Sequence, residues 1–245
     1  MVTRAAVQRG RLNEPDRWVT APVQVYYERR TLVRLAGASS DMTSDKEHWE
    51  RVYSDKTPLE VSWYQKEPAV SLRLIEHCEL GKNAAIIDVG GGASLLVDRL
   101  LAAGYQRLAV LDISSTAVAF ARSRLGTRAK QVEWIEADVR EFVPPRSFSL
   151  WHDRAVFHFL TAADDRKRYI AALKQALPSG GHVVLAAFAI GGPTRCSGLD
   201  IVQYDAEKLL AELGDQFELI EQAAETHLTP ASKEQLFCYF RLLRS

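Results

Sequence analysis

From Ser44 onward the apolar residues follow two alternating rhythms. In EHWERVYS, Trp49, Val52 and Tyr53 recur at helical spacing. TPLEVSWYQKEP, with two adjacent aromatics, reads as a loop closed by Pro68, and AVSLRLIEHCEL as a second helix. The short apolar run AAIIDVG predicts a buried strand, and SLLVDRLLAAG an amphipathic helix stopped by Gly104. The alternation then repeats. RLAVLDIS is a strand, STAVAFARSRLG a helix, QVEWIEADV and FSLWHDRAV strands, and DDRKRYIAALKQALP a helix. GGHVVLAAFAI is a strand and DAEKLLAELG a helix. FELIEQAAE and QLFCYFRLL close the chain as two strands joined by a loop containing Pro230.

Strands alternating with helices predict an α/β fold, a Rossmann-like, doubly wound and mostly parallel sheet with helices on both faces. The last two strands have no helix between them, so they predict a C-terminal antiparallel hairpin added to that sheet. One domain is expected over residues 44–245. Residues 1–43 read as a poorly ordered N-terminal extension, in which seven arginines precede the first lysine, Lys46, without periodicity. Glu14, Asp16 and Glu28 argue against a transit peptide, and Met42 is the expected opening of the functional chain.

At 245 residues and a formal net charge of +0, the chain has a sizeable core and no global field for a polyanion. Nucleic acid and membrane partners are therefore not expected. Cys78, Cys196 and Cys238 lie far apart without CxxC spacing, which excludes a disulfide framework and a structural zinc site, and no metal is expected. No apolar run is long enough to span a bilayer. A cytoplasmic monomer or small homo-oligomer is the expected state.

The chemistry concentrates at strand ends, where ligands of such sheets bind. IIDVGGGASLL, Ile86 to Leu96, runs from strand to helix through Asp88, Gly90, Gly91 and Gly92. Glycines there leave no Cβ between backbone and ligand, and the following helix offers its N-terminus. Asp112 ends the second strand 20 residues past Gly92, the spacing at which a carboxylate reaches a ribose diol. Asp138 ends the third strand, where it can accept from an adenine amino group while Ile113 and Val139 sandwich the ring. Three acids at successive strand ends disfavour a pyrophosphate and suit a cationic ligand without phosphate.

IIDVGGGAS, LDIS, EADV and LPSGGHVVL together resemble the successive motifs of class I S-adenosylmethionine-dependent methyltransferases. The resemblance covers Glu47 to Ser245, including the terminal hairpin, and departs from the family where Ser94 replaces a common glycine. It implies S-adenosylmethionine as cofactor, with Asp88, Gly90, Gly91 and Gly92 beside the methionine moiety, Asp112 on the ribose, and Asp138 with Val139 on adenine. HWERVYSDKTPLEVSWYQKEP resembles the opening of a bacterial branch related to thiopurine and other small-molecule methyltransferases. There N-terminal aromatics cover the cofactor, which makes Trp63 and Tyr64 candidates; plain packing on the sheet is the alternative, and the preferred one for Trp49 and Tyr53.

Methyl transfer from a sulfonium needs alignment and exclusion of water, and a base only where the acceptor must lose a proton. His152 and Asp153 at the end of the fourth strand, and His227 in the last loop, are the candidate bases. Arg154 pairs with Asp153 in the plainer reading, and His158 between two phenylalanines reads as a packed histidine. Arg195 and Cys196, in the glycine-rich loop GGPTRCSGLD, are candidate substrate contacts. The implied activity is methylation of a small-molecule acceptor. A protein lysine methyltransferase and a non-catalytic S-adenosylmethionine-binding protein are the alternatives, and an NAD-linked oxidoreductase is disfavoured by Asp138.

Overall fold

The computed structural model describes residues 38–245, with side chains from Ser44. Residues 1–37, most of the expected N-terminal extension, lie outside the described residues. The chain opens with α1 (Ala38–Asp55), which runs through Met42, and α2 (Ala69–Glu76). Then come β1 (Ala85–Val89), α3 (Leu96–Ala102), β2 (Arg107–Asp112), α4 (Ser115–Leu125), β3 (Val132–Glu136) and β4 (Leu150–Arg154). They are followed by α5 (Ala163–Ala176), β5 (His182–Phe188), β6 (Arg195–Cys196), β7 (Leu199–Asp200), α6 (Ala206–Leu213), β8 (Phe217–Leu228) and β9 (Glu234–Arg244).

Seven strands form one sheet in the order β3-β2-β1-β4-β5-β9-β8. β1 to β5 are parallel, β9 runs antiparallel to β5, and β8 pairs antiparallel with β9. This is the expected Rossmann-like sheet with its C-terminal hairpin. The period of two along each strand decides which residues meet which layer. In β1, Ala85, Ile87 and Val89 pack into the layer that holds Tyr169 and Leu173 of α5 and Leu209 and Leu213 of α6. Ile86 points the other way, into the layer of Leu74 and Ile75 of α2 and Leu96 and Leu100 of α3. A sheet covered on both faces explains why its inner strands read as unbroken apolar runs. Each fully buried aliphatic side chain in those runs contributes about 1.5–3 kcal/mol.

Two local features depart from the expected pattern. α2 stops at Glu76, and the chain then turns through Glu79 at a φ of 51°. GGPTRCSGLD, read as a loop, contains the two-stranded β6–β7 hairpin, pairing Arg195 with Asp200 and Cys196 with Leu199. Ser197 and Gly198 form its turn with φ of 50° and 82°, the left-handed pair that a tight two-residue hairpin requires.

Candidate functional site

The chain leaves β1 for β2 on one side and returns to β4 on the other, so the crevice opens where strand order reverses. A cavity of about 390 Å³ lies there, along the carboxyl ends of the strands. Its walls come from the strand ends, from Asp45, Trp49 and Tyr53 of α1, from Trp63, and from Cys196, Leu199 and Asp200 of the small hairpin.

The glycine loop is shaped by the protein's own acids. The Gly90 amide donates to the Leu111 carbonyl at 2.7 Å. With φ at 68°, a Cβ on Gly90 would lie 2.1 Å from Val156 Cγ2. A Cβ on Gly91 would fall 2.3 Å from Asp88 Oδ2, and one on Gly92 2.6 Å from Asp112 Oδ2. The Gly92 amide instead donates to Asp112 Oδ2 at 2.9 Å, and the Ser114 amide to Asp112 Oδ1 at 2.8 Å. Each Asp112 oxygen thus keeps acceptor capacity for a further donor, and the residue lines the cavity. Burial pushes its carboxyl up to about 6, against the two amide bonds that hold it down. A vicinal diol fits this arrangement, since it would supply the two missing donors. The residues present therefore suit an adenosine ligand.

Asp88 faces elsewhere. It shares strand parity with Ile86, so its carboxylate lies under α2, where Oδ1 bonds His152 Nδ1 at 2.7 Å. His152 Nε2 in turn bonds Ser71 Oγ at 2.9 Å. Both ring nitrogens are engaged, neither Asp88 nor His152 lines the cavity, and the base expected at His152 has no free nitrogen to offer it. Asp153 is also buried off the cavity. It accepts from the Val156 and Phe157 amides at 2.8 and 3.0 Å and from the Tyr169 hydroxyl at 2.6 Å. These bonds hold the turn in which Ala155 adopts a φ of 72°. A left-handed alanine costs about 1–2 kcal/mol, and here it sits on the cavity wall. Asp153 and Arg154 do not pair with each other: Arg154 turns to the opposite face.

His227 bonds the Ser62 carbonyl through Nε2 at 2.8 Å and lines, with Tyr64, a separate surface groove against the hairpin tip. Burial lowers its pKa. His158 is fully buried between Phe159 and Phe188, neutral because burial lowers it to about 3. Arg195 is exposed and pairs with Asp200 at 3.0 Å, while Cys196 lines the cavity with its thiol held protonated by burial. Of the residues singled out in the sequence, Gly90, Asp112, Ile113, Asp138, Val139, Trp63 and Cys196 meet at the cavity. Asp88, Gly91, Gly92, Tyr64, Arg195, His152, Asp153 and His227 do not line it.

Several wall residues carried no sequence signal. Arg140 donates to both oxygens of Asp138, to Asp45 at 2.8 Å and to Asp165 at 3.1 Å, joining α1, the β3 loop and α5 around the cavity. Its only local sign was its place two residues after Asp138. Glu50 of α1 reaches the start of α4, accepting from the Ser115 amide at 2.6 Å, the Thr116 amide at 3.2 Å and the Ser114 hydroxyl at 3.1 Å. Burial would raise its pKa, but these donors pull it down to about 2. Five aspartates and two arginines line the cavity, and among the described residues no histidine, lysine or glutamate does. The surplus of acid expected from Asp88, Asp112 and Asp138 is thus present, supplied by Asp45, Asp165 and Asp200 where Asp88 turns away.

The crevice of this Rossmann-like sheet, with a carboxylate 20 residues past the glycine loop, is where such folds hold nucleotides. Residues 86–181 match the family described as a methyltransferase domain. No curated protein matches in sequence. Among solved structures, a protein that converts a disulfide bond into a thioacetal group during echinomycin biosynthesis is 17% identical with a TM-score of 0.67, over 82% of this chain and 91% of that one. A SAM-dependent methyltransferase from Anabaena variabilis is 15% identical with a TM-score of 0.64, over 84% of this chain and 95% of that one. The 1,6-didemethyltoxoflavin-N1-methyltransferase of Burkholderia thailandensis is 16% identical with a TM-score of 0.59, over 84% and 86%. The chain thus resembles a methyltransferase domain over residues 86–181 and shares its fold with S-adenosylmethionine-dependent methyltransferases.

Proposed function

We propose that the protein is an S-adenosylmethionine-dependent methyltransferase acting on a small-molecule acceptor. The observation that carries this is the Asp112 carboxylate, buried on the cavity wall with one amide on each oxygen. In this reading Asp112 takes the ribose diol, Ile113 and Val139 flank the adenine, and Asp138, oriented by Arg140, accepts from its amino group. Gly90 passes beneath the methionine end, and Trp63 covers it. The cofactor supplies a methyl group already activated on a sulfonium. The chain's work is to orient the acceptor against it and keep water out. The acid surplus favours a cationic ligand over a dinucleotide, whose pyrophosphate would meet five aspartates. The 1,6-didemethyltoxoflavin-N1-methyltransferase binds a small molecule and shares the fold, which supports the same scale of acceptor here.

The test is thermal unfolding with S-adenosylmethionine, S-adenosylhomocysteine, NAD and NADH added separately. A ligand at a hundredfold its Kd stabilises by about 2.7 kcal/mol. The expected result is a shift with the two adenosyl sulfur compounds alone; a shift with only the nicotinamides overturns the reading.

A further inference from the structure

We propose that the acceptor is an amine, methylated on nitrogen without an enzyme base, in an aromatic-walled chamber at the β4–β5–β9 end of the cavity. The inference rests on the methyl-donor reading above, because that reading assigns the β2–β3 end of the cavity to adenosine. Strand order then separates the two halves. Asp112, Ile113, Asp138 and Val139 follow β2 and β3, whereas Phe188 ends β5, Phe237 lies on β9, and Cys196 and Leu199 lie on the small hairpin.

Rings dominate this second half. Trp49 meets Trp63 edge-on at 5.7 Å and Phe159 at 5.0 Å, and Phe188 meets Phe237 at 4.7 Å. Both arginines of the cavity already face carboxylates, although one terminal nitrogen of Arg154, Nη2, has no hydrogen-bond partner. Arg140 serves three aspartates. Arg154 donates Nε to the Tyr239 hydroxyl at 2.9 Å and a terminal nitrogen to the Trp63 carbonyl at 3.0 Å. Its guanidinium lies 4.5 Å from the centre of the Phe237 ring, with Glu225 3.8 Å away. A carboxylate, phenolate or thiolate acceptor would enter against the surplus acids and compete with Glu225 for Arg154. An alcohol or amide would need a strong base, and the aspartates that line the cavity are engaged: Asp45, Asp138 and Asp165 by Arg140, Asp200 by Arg195, and Asp112 by two amides at the donor end.

An amine escapes both constraints. As an ammonium it is drawn by ring faces and carboxylates. After shedding one proton to water, its nitrogen lone pair forms the new C–N bond as the S–C bond breaks and S-adenosylhomocysteine departs. The methylated ammonium then returns its extra proton to water.

Four probes that share one flat ring separate the possibilities: benzylamine, phenylacetate, benzyl mercaptan and benzyl alcohol. Each is titrated calorimetrically into protein loaded with S-adenosylhomocysteine, then incubated with S-adenosylmethionine and analysed by mass spectrometry. Benzylamine is expected to bind about tenfold more tightly than phenylacetate and to yield the N-methyl product. Phe237→Leu should weaken benzylamine about threefold to fivefold and leave S-adenosylhomocysteine affinity unchanged. A lysine-containing peptide methylated faster than benzylamine supports the amine and moves its source to a protein. Preference for phenylacetate, the thiol or the alcohol overturns the inference, as does binding of S-adenosylhomocysteine with none of the four probes. Failure of S-adenosylhomocysteine itself to bind overturns the donor reading instead.

Discussion

Asp112 is the residue on which the reading turns, and its chemistry gives two effects of opposite sign. Its buried carboxyl titrates near 6 in the fold, above the 3.8 of a free aspartate. A raised carboxyl pKa favours the folded state fully below 3.8, and that contribution is lost as pH rises through about 6. Ligand binding runs the other way, because a diol donates to the carboxylate form. Affinity for S-adenosylhomocysteine should therefore fall about tenfold between pH 7 and pH 5, measured by calorimetry. Asp112→Asn should abolish that pH dependence and weaken binding about a hundredfold, the loss of charge on two hydrogen bonds. A pH profile unchanged in the variant would place the titrating group elsewhere. The sequence made Asp112 legible through its spacing from the glycines. The place of Asp88 was less legible: its parity with Ile86 in β1 sends it to the opposite face from Val89, which lines the cavity.

At the scale of elements, the sheet was legible because its strands are buried on both faces and so appear as dense apolar runs. The β6–β7 hairpin was not, since two-residue strands have no periodicity to detect and only Ser-Gly marked the turn. The docking of α1 was equally hidden, because its polar contacts lie far away in sequence. Glu50 reaches across 64 to 66 residues to Ser114, Ser115 and Thr116, directly after Asp112. A carboxylate at the start of α4 also meets the positive end of that helix. Trp49 and Tyr53 stand on the same helix and face the cavity, so Glu50 positions the aromatic wall. Glu50→Gln should lower stability by about 1–2 kcal/mol in urea unfolding and weaken S-adenosylhomocysteine several-fold. Glu50→Asp should recover part of the affinity; equal loss in both variants would reduce Glu50 to a purely structural contact.

For the folded unit as a whole, the cavity is closed by parts that are distant in the chain yet meet over the strand ends. α1 is held by Lys46 to Glu136 at 2.5 Å and by Asp45 to Arg140 at 2.8 Å. The loop after it is tied to the C-terminal hairpin by Gln65 to Glu225 at 2.7 Å and by His227 to the Ser62 carbonyl at 2.8 Å. These ties are polar and partly exposed, each contributing about 1 kcal/mol or less, and beside them the cover packs through the small cluster of Tyr53, Val61, Ala93 and Ala117, whereas the central strands are fixed by two much larger buried apolar layers. Such a difference places the cover among the segments that open locally and the sheet among those that open only on global unfolding. A bound ligand that touches Trp49, Tyr53 and Trp63 then holds α1 and the 57–66 loop in place. Hydrogen exchange read by mass spectrometry should show S-adenosylhomocysteine slowing exchange in α1 and residues 57–66 about tenfold or more, by mass action at saturating ligand, with β1, β4 and β5 already too slow to exchange over the same labelling time. No protection of α1 would remove Trp49 and Tyr53 from the wall of the occupied site.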